Sequence, residues 1–377
     1  MLGVVGALRR SAIRPDLASG LIAAVVALIA VSASVHGDPA KLSVLVHMTR
    51  GEPMAAIAGA DPAFAYVAPG AHYDGVYFYA IALDPVATGR AHHLIDLSVY
   101  RYGHPLYGWL AGVLSLGQLQ WLPLALVVLG LGGMFVAGVM ASRLWSAFGW
   151  SPWGGLIIAF NPGLTYAVTV DASEAVGAAI LTLSLLMWLK RRERVACALL
   201  VAVCFSKEVL VLVPLGLAAW EFRRYRLGAP DASVRRALLP LAGPVLYAGW
   251  YFYLHLQFGR WPFQAGQDVL SLPLLGWADS LARASALATS GMAQIGQAAV
   301  PLLAVALVSL ILGVVRATRL RWPLDPAYLA VALLTLSVGW LALEFPKDLI
   351  RTVALPLVLL PFVLVGPRVA EPAAGAT

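Results

Sequence analysis

The chain has 377 residues, of which 60% are hydrophobic and only 12% charged, with a net charge of +7 and a mean hydropathy of +0.82. Soluble domains carry roughly 25% charged residues, so this composition excludes a soluble enzyme as well as a disordered protein. The cysteines, Cys197 and Cys204, lie in one apolar stretch, which excludes a secreted disulfide scaffold. The positive charges cluster at the ends of apolar segments, as is typical of a polytopic membrane protein and not of a nucleic-acid-binding protein.

Ten apolar segments are candidates for membrane-spanning helices, most of them near the roughly 20 residues that a crossing requires. In chain order they are 17–36, 121–142, 151–170, 174–190, 194–206, 208–221, 237–255, 292–315, 326–344 and 349–367. The first follows Arg9, Arg10 and Arg14 and has no convincing cleavage site, so we expect a retained anchor helix and not a signal peptide. The sequence therefore predicts an all-α, polytopic bundle of about ten spans.

Basic clusters set the direction of the crossings. If both termini are cytoplasmic, most of the 26 lysines and arginines fall on the inner side and most of the 19 acids on the outer side. The segment 194–221 has basic clusters at both ends, which a single crossing would place on opposite sides. We therefore predict two short crossings that turn at Ser206-Lys207-Glu208 on the outer side.

The chain is predicted to form one membrane-embedded domain over residues 1–377. Its parts are an anchor helix (1–36), an outer loop (37–120), a helical bundle (121–367) and a short cytoplasmic tail (368–377). Within the outer loop, the apolar segment 104–117 is too short to cross comfortably. Its Trp109 favours an interfacial helix on the outer face.

Asp74 is the strongest candidate for a catalytic residue. It lies in the first outer loop, in the aromatic-rich segment 71–79, AHYDGVYFY, which predicts a short helix that dips into the membrane interface. A carboxylate there can accept a proton from a hydroxyl nucleophile if partial burial raises its pKa. The alternative is a structural helix N-cap, a position that Asp favours.

Asp171 and Glu174 form a second acidic pair, between two predicted spans. Their spacing of three residues places them on one helix face, where they could bind a sugar hydroxyl, a cation or a basic partner. The alternative is again capping, with Asp171 as N-cap and Glu174 three residues later in a capping box.

Charged residues within apolar surroundings supply the other binding candidates. Lys207 and Glu208 predict a polar hairpin tip that reaches into a protein-lined cavity, the alternative being a mutual ion pair. Arg351, at the outer start of the last span, can bind a phosphate in bidentate fashion. Arg101 is a second candidate for the same role, and Arg260 is a third.

Cofactor motifs are missing from the sequence. The pair His92-His93 has no partner at the spacing of a metal site, and no HExxH occurs. No P-loop and no GxGxxG before a helix occurs either. We therefore expect neither a metal nor a nucleotide cofactor.

The order of these features resembles the GT-C glycosyltransferases, and most closely the bacterial mannosyltransferase-like membrane proteins. The shared features are an outer-loop acid after the first span, an acid that opens a helix after an Asn-Pro segment, a basic hairpin tip and a late arginine. The segments 73–75 (YDG), 83–85 (LDP), 100–102 (YRY) and 105–107 (PLY) carry the resemblance. Many members have two adjacent acids in the first loop, whereas Asp74 here lies between Tyr73 and Gly75.

The resemblance implies a hexosyltransferase that inverts the sugar and takes it from a polyprenyl phosphate to a lipid, glycan or protein hydroxyl. Asp74 would be the catalytic base, and Lys207, Arg351 or Arg101 would hold the donor phosphate. Asp171 or Glu174 would line the pocket for the sugar or the acceptor, and Tyr73 and Glu208 are further substrate-binding candidates. No nucleic acid is expected as a partner.

Two other classes of function remain open from the sequence. A transporter or flippase would also be polytopic with polar groups at depth, but no matching halves with broken helices are visible. A non-catalytic scaffold in envelope assembly is the third possibility. The Ala-, Arg- and Gly-rich composition is typical of a high-GC bacterium, so we expect a multi-pass protein of the plasma membrane with its site on the extracytoplasmic face.

Overall fold

The fold is known from a computed structural model that describes residues 14–265, 269–289 and 291–368. These residues are helical, with β pairing limited to isolated bridges at Thr49–Val67 and Leu270–Val338. The predicted all-α class is therefore confirmed. Arg9, Arg10 and the tail 369–377 lie outside the described residues.

The described residues form thirteen α-helices of eight residues or more. They are α1 (Pro15–Ser34), α2 (Gly75–Leu83), α3 (Leu106–Leu114), α4 (Leu122–Ala147), α5 (Pro162–Thr169), α6 (Glu174–Leu189), α7 (Glu193–Ser206), α8 (Leu212–Arg226), α9 (Ala242–Phe258), α10 (Leu275–Leu287), α11 (Ala293–Ala317), α12 (Leu324–Leu336) and α13 (Pro346–Val365). Short helical turns lie at Pro39–Val46, Ala55–Ala58, Ala91–Leu94, Ser98–Arg101, Leu119–Trp121, Pro152–Ile157, Glu208–Val211, Val234–Leu238, Leu239–Leu241, Pro262–Ala265 and Trp340–Ala342.

Five helical segments among the described residues are long and apolar enough to cross a membrane. They are Pro15–Ser34, Leu119–Ala147, Val234–Phe258, Ala293–Ala317 and Pro346–Val365. The helices α6 and α12 are apolar but shorter. The chain thus has the character of a helical membrane protein, while the ten crossings stay a prediction.

Two predicted spans are wrong as continuous helices. The segment 151–170 contains a 3-10 turn and the short helix α5, because Pro162 lacks an amide hydrogen and holds Asn161 in an extended conformation. The Asn161 side chain accepts hydrogen bonds from the amides of Gly163 and Leu164 and so begins α5. The segment 326–344 is also divided, since α12 ends at Leu336.

The chain reverses direction at Lys207, as the sequence predicts. Lys207 is extended and separates α7 from the turn that leads into α8. At the far ends of the two helices, Glu193 and Glu221 both pair with Arg236, at 3.7 and 3.1 Å. The two ends can share one arginine only if α8 runs back alongside the path of α7.

The outer loop is more deeply packed than predicted. The short helix predicted in this segment is confirmed, and its residues 75–82 are all buried within the protein; its position at the membrane interface stays a prediction. The helix packs against α3, where Val113 and Leu114 remain exposed. The helix α3 covers only part of the predicted segment 104–117. Because the residues of α2 are buried, the segment that precedes this helix is also held in place.

A close helix contact positions α13 against α5. An added Cβ at Gly163 would lie 2.0 Å from the carbonyl oxygen of Ile350, the residue before Arg351. A side chain there forces the two helices apart, which costs about 1–3 kcal/mol. We expect Gly163→Ala to lower the melting temperature of the purified protein in a thermal unfolding assay.

The matched control for this prediction is Gly132→Ala. Gly132 lies in α4, and an added Cβ would meet no atom within 4 Å, so alanine should leave the melting temperature unchanged or raise it through its helix propensity. Equal effects of the two substitutions would contradict the close contact.

Candidate functional site

The segment before α2 places Tyr73 and Asp74 among the packed helices of the protein. Gly75 makes this possible, because an added Cβ would lie 2.7 Å from the carbonyl oxygen of Val46 and 2.9 Å from that of Val170. The backbone of the helix start therefore sits directly against two other segments. This close approach fixes the Asp74 carboxylate beside the start of α13.

Asp74 and Glu174 are bridged by Arg351. The Arg351 Nη1 donates to Asp74 Oδ2 at 2.9 Å, and its Nη2 and Nε donate to Glu174 Oε1 at 2.8 and 3.2 Å. The Arg351 and Glu174 side chains are 8% and 1% exposed. A buried guanidinium that pairs with carboxylates on both sides is held in one orientation.

Two more cations complete the arrangement. Lys207 Nζ donates to Glu174 Oε1 at 3.1 Å, and Arg101 Nη1 donates to Asp74 Oδ1 at 3.3 Å. We call the set Asp74, Arg101, Glu174, Lys207 and Arg351 the ion cluster. It has three cationic side chains and two carboxylates, and a third carboxylate, that of Asp96, lies 3.6 Å from Arg101 Nε.

Asp74 lies at the accessible edge of the ion cluster. Its side chain is 28% exposed, whereas that of Glu174 is 1% exposed. Burial alone would raise the pKa of Asp74, but the charges of Arg351 and Arg101 outweigh it and hold that pKa well below its usual range. The expectation of an upward shift is therefore wrong for the unliganded protein, because the sequence did not show which cations would face the carboxylate.

Tyr73 extends the ion cluster on one side. Its hydroxyl donates to Asp348 Oδ1, and its ring lies 5.0 Å from the Arg351 guanidinium and 4.7 Å from Lys347 Nζ. Such cation–π contacts restrain both the ring and the arginine. The tyrosine ring also packs edge-on against Tyr166, with the ring centroids 5.8 Å apart.

Glu208 extends the ion cluster on the other side. Its Oε1 accepts a hydrogen bond from the Tyr100 hydroxyl at 3.3 Å, and its Oε2 lies 3.2 Å from His104 Nδ1. Burial lowers the pKa of His104 to about 4, so the imidazole is neutral at neutral pH. The side chain of Glu208 is 31% exposed and is available to a polar ligand.

The structural alternatives to these roles do not hold. Asp74 is at the N-cap of α2 but makes no capping hydrogen bond, since its oxygens accept from arginines. Ser173 occupies the N-cap of α6 and Glu174 its first turn, which rules out the capping box. Lys207 pairs with Glu174, and Glu208 lies beside His104. Lys207 and Glu208 therefore do not form a mutual ion pair.

Asp171 is separate from the ion cluster. It has a φ of 48°, lies before α6 rather than on its face, and is fully buried. Among the described residues its carboxyl oxygens have no hydrogen-bond partner, and burial raises its pKa well above the usual range. The prediction that Asp171 and Glu174 share a helix face is therefore wrong.

Two apolar grooves lie between helices of the described residues. The first groove, of about 550 Å³, lies between α3, α7 and α9, and Trp109, Phe205 and Trp250 are among its lining residues. The second groove, of about 400 Å³, lies between α1 and α5 and is lined by Ala30 and Tyr166 among others. Sequence reasoning missed both, because each groove is formed by helices far apart in the chain.

Several contacts of the site were also invisible in the sequence. Nothing in the chain order indicates that His104 and Tyr166 lie beside the site, and the Tyr73–Asp348 hydrogen bond joins residues 275 positions apart. No protein-family model matches this sequence, and no curated protein is detectably similar to it.

Proposed function

We propose that the protein is a membrane glycosyltransferase that moves a hexose, mannose or a close relative, from a polyprenyl phosphate to an acceptor hydroxyl at the extracytoplasmic face. One observation carries the proposal: the partly exposed Asp74 carboxylate lies against Arg351 and Arg101, at the edge of a buried cluster that holds three cations. The proposed base and the proposed phosphate-binding groups thus contact each other directly. The resemblance of the sequence to the GT-C glycosyltransferases implies the same roles for these residues.

The donor phosphate has cationic partners in this arrangement. Arg351 presents a planar guanidinium that suits two phosphate oxygens, and Lys207 adds a point charge. In the unliganded protein both cations pair with carboxylates. The cations also stabilise the charge that develops on the phosphate as the sugar leaves.

Transfer is a single displacement at the anomeric carbon. The acceptor oxygen forms a bond to that carbon while the bond from the carbon to the phosphate oxygen breaks, and the electron pair leaves with the polyprenyl phosphate. The acceptor proton passes to Asp74. Attack opposite the leaving group inverts the anomeric configuration.

Donor binding also changes the basicity of Asp74. In the unliganded protein two guanidinium groups hold the carboxylate ionised and weakly basic. A phosphate that draws Arg351 towards itself removes part of that charge from Asp74, so the proton affinity of the carboxylate rises. The base is therefore strengthened only when the donor is in place.

The test is glycosidic bond formation in proteoliposomes that contain radiolabelled undecaprenyl-phosphate mannose or its glucose analogue. We predict a labelled product that is stable in mild acid, under conditions that cleave the donor. Movement of label across the membrane without a new glycosidic bond would instead indicate a transporter or flippase. Absence of both activities in folded protein would favour a scaffold.

A further inference from the structure

Lining residues of the two grooves lie near different parts of the proposed reaction centre. We propose that the acceptor is itself a lipid, with its hydrocarbon chain in the second groove, while the first groove holds the polyprenyl chain of the donor. This inference rests on the proposed function and names the class of its second substrate.

A lining residue of the first groove is close to Lys207 in the chain. Phe205 lines this groove and lies two residues before Lys207, at the end of α7. Trp109 and Trp250 pack edge-on in the same groove, with their ring centroids 5.2 Å apart. A chain in this groove brings its headgroup to Lys207, so the groove suits a lipid that ends in a phosphate.

A lining residue of the second groove contacts the neighbour of Asp74. Tyr166 lines this groove and packs against Tyr73, which immediately precedes Asp74. The contacts thus run from Tyr166 through Tyr73 and Arg351 to Glu174 and then to Lys207. The second groove lies at the Tyr166 end of this series, and the first groove lies near its Lys207 end. Two hydrocarbon chains can therefore be bound at once with their headgroups towards the ion cluster.

The lining of the second groove suits an amphiphile with a hydroxyl-bearing headgroup. Apolar residues such as Val26 and Ala30 come from α1, whereas α5 contributes Thr165, Tyr166 and Thr169. Phe160, at the edge of the groove, is 76% exposed, so the groove is open to the side. A water-soluble acceptor would gain nothing from an apolar groove beside the base.

The experiment compares two acceptors with the same headgroup, methyl mannoside and decyl mannoside, in proteoliposomes with labelled undecaprenyl-phosphate mannose. The wild type should favour the decyl acceptor by roughly tenfold or more in kcat/KM, since about two buried methylenes give that factor. Ala30→Trp and Thr165→Phe, which fill the second groove from its two sides, should abolish the preference. Val25→Trp is the control, because Val25 lies on α1 but faces outwards and is 43% exposed.

The outcomes separate the two proposals. Transfer to neither acceptor, nor to any other, overturns the proposed function and this inference with it. If the wild type does not prefer the decyl acceptor, or if the groove-filling variants keep that preference, the proposal of a lipid acceptor is wrong. The proposed transferase activity would still stand. If these variants also lose the thermal stabilisation that undecaprenyl-phosphate mannose gives the wild type, the second groove serves the donor and the assignment is wrong.

Discussion

Asp74→Asn should reduce hexose transfer by about 100- to 10,000-fold, the range expected when a general base is removed. Asparagine keeps the size of the side chain and one oxygen for Arg351, but it cannot accept the acceptor proton. The measurement is the initial rate of labelled product formation at saturating donor. Because Asp74 is 28% exposed, we expect the variant to fold.

Asp96→Asn is the matched control for this substitution. Asp96 lies in the same loop and its carboxylate is 3.6 Å from Arg101 Nε, but its side chain is 63% exposed. The control should retain activity close to that of the wild type. Equal activity of Asp74→Asn and Asp96→Asn would remove Asp74 from the role of base.

Arg351→Met should cause the largest loss of stability. It leaves Glu174 buried with only Lys207 as an ionic partner and takes one of two arginines from Asp74. Breaking a buried pair in this way costs about 3–5 kcal/mol, because the buried Glu174 carboxylate loses the guanidinium and keeps a single cation. We expect the melting temperature in detergent to fall on the order of 10 °C.

A double variant distinguishes loss of an ion pair from loss of packing. Adding Glu174→Gln to Arg351→Met removes the buried carboxylate that has lost the guanidinium, so the double variant should be more stable than the sum of the single effects predicts. Arg260→Met, on an exposed residue, should leave the melting temperature unchanged. Simple additivity of the two cluster substitutions would argue against the bridge.

The helical class and the turn at Lys207 were predictable because they depend on local composition. Long apolar runs and basic clusters at segment ends are properties of neighbouring residues. The division of 151–170 was harder to predict, since mean hydropathy is insensitive to Pro162. Asn161 followed by Pro162 is a local signal for the start of a helix, but the apolar length of the segment favoured a single span.

The members of the candidate site were predictable, but their pairing was not. Asp74, Arg101, Glu174, Lys207 and Arg351 stand out because each is an ionisable residue in or near an apolar segment. Their contacts join residues as far as 277 positions apart. Only the packing of the helices decides which cation faces which acid, and that choice reversed the direction expected for the pKa of Asp74.

The measurement that most directly tests the central claim is the shift in melting temperature on addition of undecaprenyl-phosphate sugars. A ligand that binds only the folded protein raises this temperature by mass action. We predict a rise for the wild type, Asp74→Asn and the control Arg260→Gln, and none for Lys207→Met. If no sugar stabilises the folded wild type, or if Lys207→Met responds as the wild type does, the ion cluster is not the binding site of a polyprenyl-phosphate donor.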